Sequence, residues 1–567
     1  MKLLASDYVN YNDETPTPRA DYDQSKVPSE IRERASYVRH KIYGQNVREA
    51  LAQNAEIAGL IALESENLAQ TANGISLDIK NRYDNQIANS QLDNEVVDAR
   101  LPKNEEVAFP NLRERLNSSD HKISQNEKML KVGRINLPYD FPKLPFDVFK
   151  KGEYQFEHNF NPRHVHDWSN ATEVFISDVS SGATELGSSK DKPINIIQFV
   201  LRYKEGKYGS KKDFIITFVD EVYGFQWTST DRFSDIDVNI YFRSGSPSGK
   251  TTIGLLRGGE VWANEEGNVY KYTAPSSNTL DYPVNLTQLD PYGLPLPYHQ
   301  VRTLNECTAT EGSYYLDVNS SDIYLHKHSH ENINFVKIAR RLQVFPVRAN
   351  NSTMIFEDLL FLENADAFDS KNINSKFYFT NCQFYRGMQD AFAMTGEYSI
   401  YLLDCVSAYA SKDGFNYHAT NEDSLAVEVN CVAYGNGKYK FVGGNTTTGS
   451  NNGSTAHDGI HMLRIGSKYS ECEGPIVADI QNCYSISIGC ESYDILDTTT
   501  GIRAGFYVQN ENGTSEEKPK YIIECRQSGD NFVEGILAVN SSETYYQNFR
   551  GHKNNDGTEI SWEGALN

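Results

Sequence analysis

Apolar or small residues return along the first part of the chain at Val47, Leu51, Asn54, Ala58, Ile61, Ser65, Leu68, Ala72, Ile75 and Ile79, in alternating steps of four and three. Two seam positions per heptad predict a helix that pairs with copies of itself, because a helix packed on its own domain presents a wider apolar stripe. Asn54 and Ser65 interrupt the seam, where polar groups fix register and strand number at a cost in stability. The reading is an α-helical coiled-coil stalk over residues 30–100, behind an attachment segment at 1–29. A homotrimer is the expected assembly, although the seam does not itself set the number of strands.

A different period governs the second half. Phe356-Glu357-Asp358 returns as Phe379-Thr380-Asn381 and as Leu402-Leu403-Asp404, each step 23 residues, and Asn430 follows 26 beyond Asp404. Cys382, Cys405 and Cys431 keep the same beat, and Cys483 lies 52 farther on, two steps of 26. A second column holds Asp390-Ala391-Phe392 and Asp413-Gly414-Phe415. Self-similarity at this period means a solenoid, and short Val/Ile/Tyr/Phe runs broken by Gly, Asn and Asp make its coils strands and turns. Leucine-rich, WD and kelch punctuation is absent, which leaves a mainly β chain with a parallel β-helix over residues 173–567, joined to the stalk by a linker at 101–172. Lys192-Pro193 opens a short helix near Ile194–Leu201 that would cap the first coil. The cysteine column reads as an inward stack of small apolar groups and the Asn/Asp column as a stack of turns.

Charge narrows the partners. A formal net charge of −22 and a pI near 5.1 repel nucleic acid and anionic membranes and favour neutral, zwitterionic or metal-bridged ligands. The 35 tyrosines suit the stacking of sugar rings, and equally suit strands. No run approaches the roughly 20 apolar residues of a membrane span, and MKLLASDYVNYNDE turns acidic before a signal peptide can form, so a soluble cytosolic product without membrane insertion is expected. All eight cysteines lie at or after Cys307 without CxxC spacing, which points to reduced thiols.

Candidate chemistry gathers around the longest inserted loop, which runs from Lys438 and Tyr439 to Thr455 and delays the Asp-Gly column from Asp413 to Asp458, a gap of 45. DGFNYH supplies Asp413, Asn416, Tyr417 and His418; AHDGIHMLR supplies His457, Asp458, His461 and Arg464. Alternate residues of a strand share a face, so Asn416 pairs with His418, and His457 with His461. Imidazole beside carboxylate supplies a general acid or base, or part of a divalent-cation site. His418, His457, Asp458 and His461, with Asp413 one coil away, are the candidate catalytic set; Asn416, Tyr417, Arg464 and Tyr439 are candidate polymer contacts. Asp-Gly is also ordinary turn chemistry, and a recurring aspartate column is what stacked turns produce. No cofactor other than a divalent cation enters this reading, and no metal ligand set is identified.

Two stretches carry resemblances. RYDNQIANSQLDNEVVDARLP at 82–102 and FPNLRERL at 109–116 resemble the segment after the N-terminal helix in tail and baseplate proteins of phages that infect Gram-positive bacteria. That resemblance implies a virion tail part, held by phage baseplate or tail proteins through its N-terminus. From Glu173 the sequence resembles the entry of pectate-lyase-like β-helix proteins. DGFNYH followed by HDG resembles phage and bacterial β-helix proteins described as pectate-lyase-like or pre-neck-appendage-like, over roughly residues 173–500. This resemblance implies a right-handed coil, degradation of exopolysaccharide or teichoic acid, and roles for Asp413, His418, His457, Asp458 and His461. The Asn-Thr-Asp, Asp-Asp and Gly-His-Gly triplets of polygalacturonases are missing, which speaks against inverting hydrolysis by those carboxylates. No calcium-bound carboxylate cluster with an arginine base of the pectate-lyase kind is identifiable, Arg464 being the candidate for such a base. The expected function is a tail fibre or tailspike that recognises and depolymerises a bacterial surface glycopolymer. The alternatives are a fibre that binds without cutting and a structural baseplate connector.

Overall fold

A computed structural model describes residues 24–39, Glu56 and residues 133–561 apart from short stretches, among them 225–236 and 443–450. The chain forms two units, Met1–Lys128 and Met129–Asn567. In the first, a short turn at Gln24–Lys26 precedes a helix at Ser29–Arg39. The heptad seam and the segments 82–102 and 109–116 lie outside the described residues.

The second unit is a parallel β-helix, and one corner of each coil explains its period. Asp358, Asn381, Asp404 and Asn430 all adopt left-handed backbone conformations, with φ between 52° and 57°. Asparagine and aspartate tolerate that region better than other residues with a Cβ, which is why they recur here. Their side chains also join coil to coil: Asn381 Nδ2 donates to Asp358 (2.6 Å) and Asn430 Nδ2 to Asp404 (3.1 Å). In the next two coils Gly466 and Gly489 take the corner, and there a Cβ would collide with the Phe156 ring at 2.5 Å.

Before this corner runs sheet A, which includes Thr353–Glu357, Leu425–Val429 and His461–Ile465; after it runs sheet B, with Leu359–Leu362, Gln383–Gly387 and Val406–Ala410. A second turn leads to sheet C, with Phe415–Ala419, Ser454–Ala456, Val477–Ile480 and Ala504–Gln509. Every neighbouring pair named here within sheets B and C runs parallel and in register. The right-handed strand twist favours a right-handed coil. Like residues therefore stack in the interior: Phe356 lies on Phe379 at 4.5 Å between ring centres, and Phe361 on Phe384 at 5.4 Å. The helix Ile196–Lys204 packs Phe199 and Val200 into the core beside the first coils, capped by Asn195 and Gln198.

Cys382, Cys405 and Cys431 form the expected inward column just after the left-handed corner, and all eight cysteines are buried and unpaired. Cys483 does not belong to that column. The column continues through Ser467, whose hydroxyl accepts from Cys431 N–H, and then through Cys490 and Cys525. Cys483 instead precedes Tyr484 at the turn into sheet A. The coil after Cys431 spans 36 residues, not 26, because it contains the inserted loop, so the 52-residue spacing was coincidence.

Two further parts went unread in the sequence. Between Thr251–Ile253 and Thr353–Glu357 the chain leaves the coil to build a largely antiparallel module spanning Leu256 to Arg340. Its Tyr282, Tyr298, Tyr314 and Leu325 pack on Leu360, Leu362, Tyr385 and Tyr434, covering the outer face of sheet B. Residues 133–171 likewise cover sheet A, where Ile135, Phe141, Phe146 and Phe156 join Tyr378, Tyr401, Val427 and Leu463. Outward residues of sheet C belong to neither apolar cluster.

Two outcomes test this packing. In folded protein a bulky maleimide should leave Cys382, Cys405 and Cys431 unlabelled while the urea-unfolded chain labels fully; rapid labelling of the native column would contradict it. Phe379→Ala should cost about 3–5 kcal/mol in denaturant unfolding, since it opens a cavity inside a stacked column.

Candidate functional site

On the strand Phe415–Ala419, Phe415 and Tyr417 turn into the core, which leaves Asn416 and His418 on the outer face of sheet C. Register pairs Tyr417 with Ala456 on the next coil, and the N–H of His457 donates to Tyr417 O at 3.0 Å. This brings His418 and His457 side by side, their rings nearly parallel at 4.2 Å between centres. Asp458 begins the turn into sheet A with φ 60°, followed by Gly459 at φ 75°, and its carboxylate reaches back to His418 Nδ1 at 3.0 Å. Residues 40 apart in sequence thus form an exposed dyad, His418 at 36% and Asp458 at 37% side-chain exposure.

This geometry has a direct chemical consequence. A carboxylate on Nδ1 holds the hydrogen there and leaves the Nε2 lone pair of His418 available to take a proton from water or a hydroxyl. His457 is placed differently. Burial, then the nearby charges of His418 and Lys412, push its pKa down to about 3, so it is neutral and stacks on His418 without repelling it.

The remaining candidates divide. Asp413 is 1% exposed, lies behind Asn416 and accepts from the N–H of Asn452 at 2.8 Å. The residue in its column on the next coil is therefore Asn452, 39 residues on, and Asp458 belongs to the following corner. Asn416 is 1% exposed and donates to Asp390 at 2.9 Å. His461 opens the strand His461–Ile465 in sheet A, where its ring meets Phe141 at 5.7 Å and Tyr484 at 5.5 Å; it turns away from His418 and His457. Tyr417 and Arg464 are fully buried inside the coil, Tyr417 donating to Glu428 at 3.0 Å and Arg464 paired with Asp479 at 2.8 Å, so neither can touch a polymer. Tyr439 packs on Tyr409 and His299 beside the antiparallel module. Alternation had placed His457 and His461 on one face, but the Asp458-Gly459 turn between them changes the sheet.

Lys412 and Gln481, both partly exposed, border the cluster and were not singled out in the sequence. Their signal was positional: Lys412 precedes the Asp-Gly pair, and Gln481 follows the strand next to His457. Among the described residues no three His, Cys, Asp or Glu side chains are arranged around a metal ion.

Neither a family model nor a curated protein matches the chain. Solved structures do. A glycoside hydrolase matches at TM-score 0.44 and 9% identity, over 70% of this chain and 96% of its own. The pectate lyase Pel9A matches at 0.30 and 12% identity, over 66% and 78%. The tailspike gp61 of Pseudomonas phage phi297 matches at 0.17 and 9%, over 62% and 73%. At such identities the chemistry has to be read from this chain's own residues.

The state of His457 gives a pH test. With a folded pKa near 3 against 6.5 for the ordinary group, the unfolded chain binds the proton more readily. The His457 contribution is therefore complete above about pH 6.5 and is lost as pH falls towards 3. His457→Gln should show a smaller drop in melting temperature between pH 7 and pH 4.5 than the parent; an identical drop would refute it.

Proposed function

We propose that the chain grips an extended bacterial surface glycopolymer along the outer face of sheet C and cleaves it beside His418 and Asp458, as the fibre or tailspike of a phage tail. The observation that carries this reading is the His418–Asp458 dyad, assembled from two coils on a face that neither apolar cluster covers. Coils repeat at about 4.8 Å, close to the length of one sugar unit, so a linear chain can lie along the stack and meet equivalent positions coil after coil. The acidic surface favours a neutral or zwitterionic polymer.

In this mechanism His418 Nε2 takes the proton of the attacking water or hydroxyl as that oxygen bonds to the anomeric carbon or phosphorus, Asp458 stabilises the imidazolium through Nδ1, and the imidazolium returns the proton to the leaving oxygen as its bond breaks. His457, held neutral, closes one side of His418 and keeps bulk water from it. The same base serves a glycosidic bond or a glycerol-phosphate diester, which leaves exopolysaccharide and teichoic acid as the two substrate classes.

Purified protein should shorten one of these polymers when cell-wall teichoic acid and exopolysaccharide are tested separately and chain length is followed by gel. His418→Ala and Asp458→Asn should each lower the rate by about 10²- to 10⁴-fold without unfolding the protein. His461→Ala should leave the rate near that of the parent. Full activity in the His418 variant removes the dyad from the mechanism, and a polymer bound yet never shortened makes the chain a binding fibre.

A further inference from the structure

The turn from sheet B into sheet C holds an oxygen-rich cluster that the proposed cleavage does not use. Asp390 and Asp413 occupy the same place on successive coils, 23 residues apart. One Asp390 carboxylate oxygen accepts from the N–H of Asp413 (3.1 Å) and the other from Asn416 Nδ2 (2.9 Å). Asp413 accepts from the N–H of Asn452, and Asn452 Nδ2 donates to Thr455 Oγ1 at 2.9 Å. None of these five residues is more than 6% exposed.

With those donors committed, the amide oxygens of Asn416 and Asn452 are buried and have no hydrogen-bond partner. Turning the Asn416 amide over would set its oxygen against the Asp390 carboxylate, so its orientation is fixed by the bond it makes. Each buried acceptor left unserved costs about 1–3 kcal/mol. The two buried carboxylates, on successive coils, form no ion pair with a basic side chain among the described residues. A hard cation serves both carboxylates and both amides together.

We propose that Asp390, Asp413, Asn416 and Asn452 bind a calcium ion, which ties three successive coils together at the root of the inserted loop. Calcium suits an irregular set of carboxylate and amide oxygens, whereas magnesium demands octahedral geometry and keeps several waters, for which a site this buried has little room. Because these side chains are buried, the ion is a structural clamp and not a bridge to substrate. It fixes Asn416, which shares a strand face with His418, but the site stands whether or not the chain cleaves a polymer.

The test uses the full chain, stripped with EDTA, dialysed against calcium or magnesium, and followed by elemental analysis and thermal unfolding. One calcium per chain should be retained, EDTA should lower the melting temperature, and calcium, not equimolar magnesium, should restore it. Asp390→Asn and Asp413→Asn should lose both the ion and the calcium-dependent shift. If either fails to fold, Asn416→Ala, which removes a ligand and no charge, should still weaken calcium binding about tenfold or more. A stripped protein that melts like the untreated one and binds no ion overturns the proposal. So does calcium held with unchanged affinity by the variants, which would put the ion elsewhere, or magnesium acting as well as calcium.

Discussion

The coil rests on one backbone requirement: from the strand Thr353–Glu357 onward, each turn from sheet A to sheet B passes through a left-handed residue. Asp358, Asn381, Asp404, Asn430, Gly466 and Gly489 meet it in succession. A left-handed residue with a Cβ costs about 1–2 kcal/mol unless its side chain finds a local partner, as Asn381 and Asn430 do on the preceding coil. Because the corners coincide, the strands on either side pair in register and the aromatic columns stack face to face. A slip of one residue would turn every inward side chain outward. The outer face inherits the same register, so the placement of His457 beside His418 follows from a corner on the far side of the coil.

Covering the faces comes next. Sheets A and B carry apolar residues on their outer as well as inner faces, among them Tyr378, Tyr401 and Val427 on the one and Leu360, Leu362 and Tyr385 on the other. Two-sided apolar strands must be buried twice. Residues 133–171 and the antiparallel module do this. Sheet C has no such demand: its outward positions hold Thr395, Asn416, His418, Thr455 and His457, which read as a polar face along the stack. The exposed part of that face is at Thr395, His418 and His457, whereas Asn416 and Thr455 on the same face are buried.

What was legible in the sequence follows the same logic. The corner column could be read because left-handed backbone restricts residue choice so strongly that Asn and Asp recur at nearly constant spacing. The cysteine column could be read only while the coils stayed regular; once the inserted loop stretched one coil to 36 residues, counting assigned Cys483 to the wrong corner. The antiparallel module was invisible because its strands have no period, and a break in a repeat looks like a long loop. The structure brings His418, His457 and Asp458 together, and the loop beside them is what had drawn attention to them in the sequence. His461, Tyr417 and Arg464 were misplaced because strand alternation says which residues share a face, but neither where a turn begins nor which face is inside.

Tyr417 and Arg464 matter in another way. Behind the open face, Glu428 is fully buried and accepts from Tyr417, Ser454 and Tyr469, while Arg464 joins Ser454 to Asp479. Charges inside a β-helix return little net stability, since desolvation consumes what attraction supplies, yet removing one partner strands the other at about 3–5 kcal/mol. These residues alternate with those outside: Tyr417 lies between Asn416 and His418, and Ser454 adjoins Thr455. The internal network therefore penalises any shift of these strands against one another. The proposed cleavage by a dyad built from two coils needs that restraint, because a displacement of about 1 Å in a catalytic pair is enough to lose most of its rate.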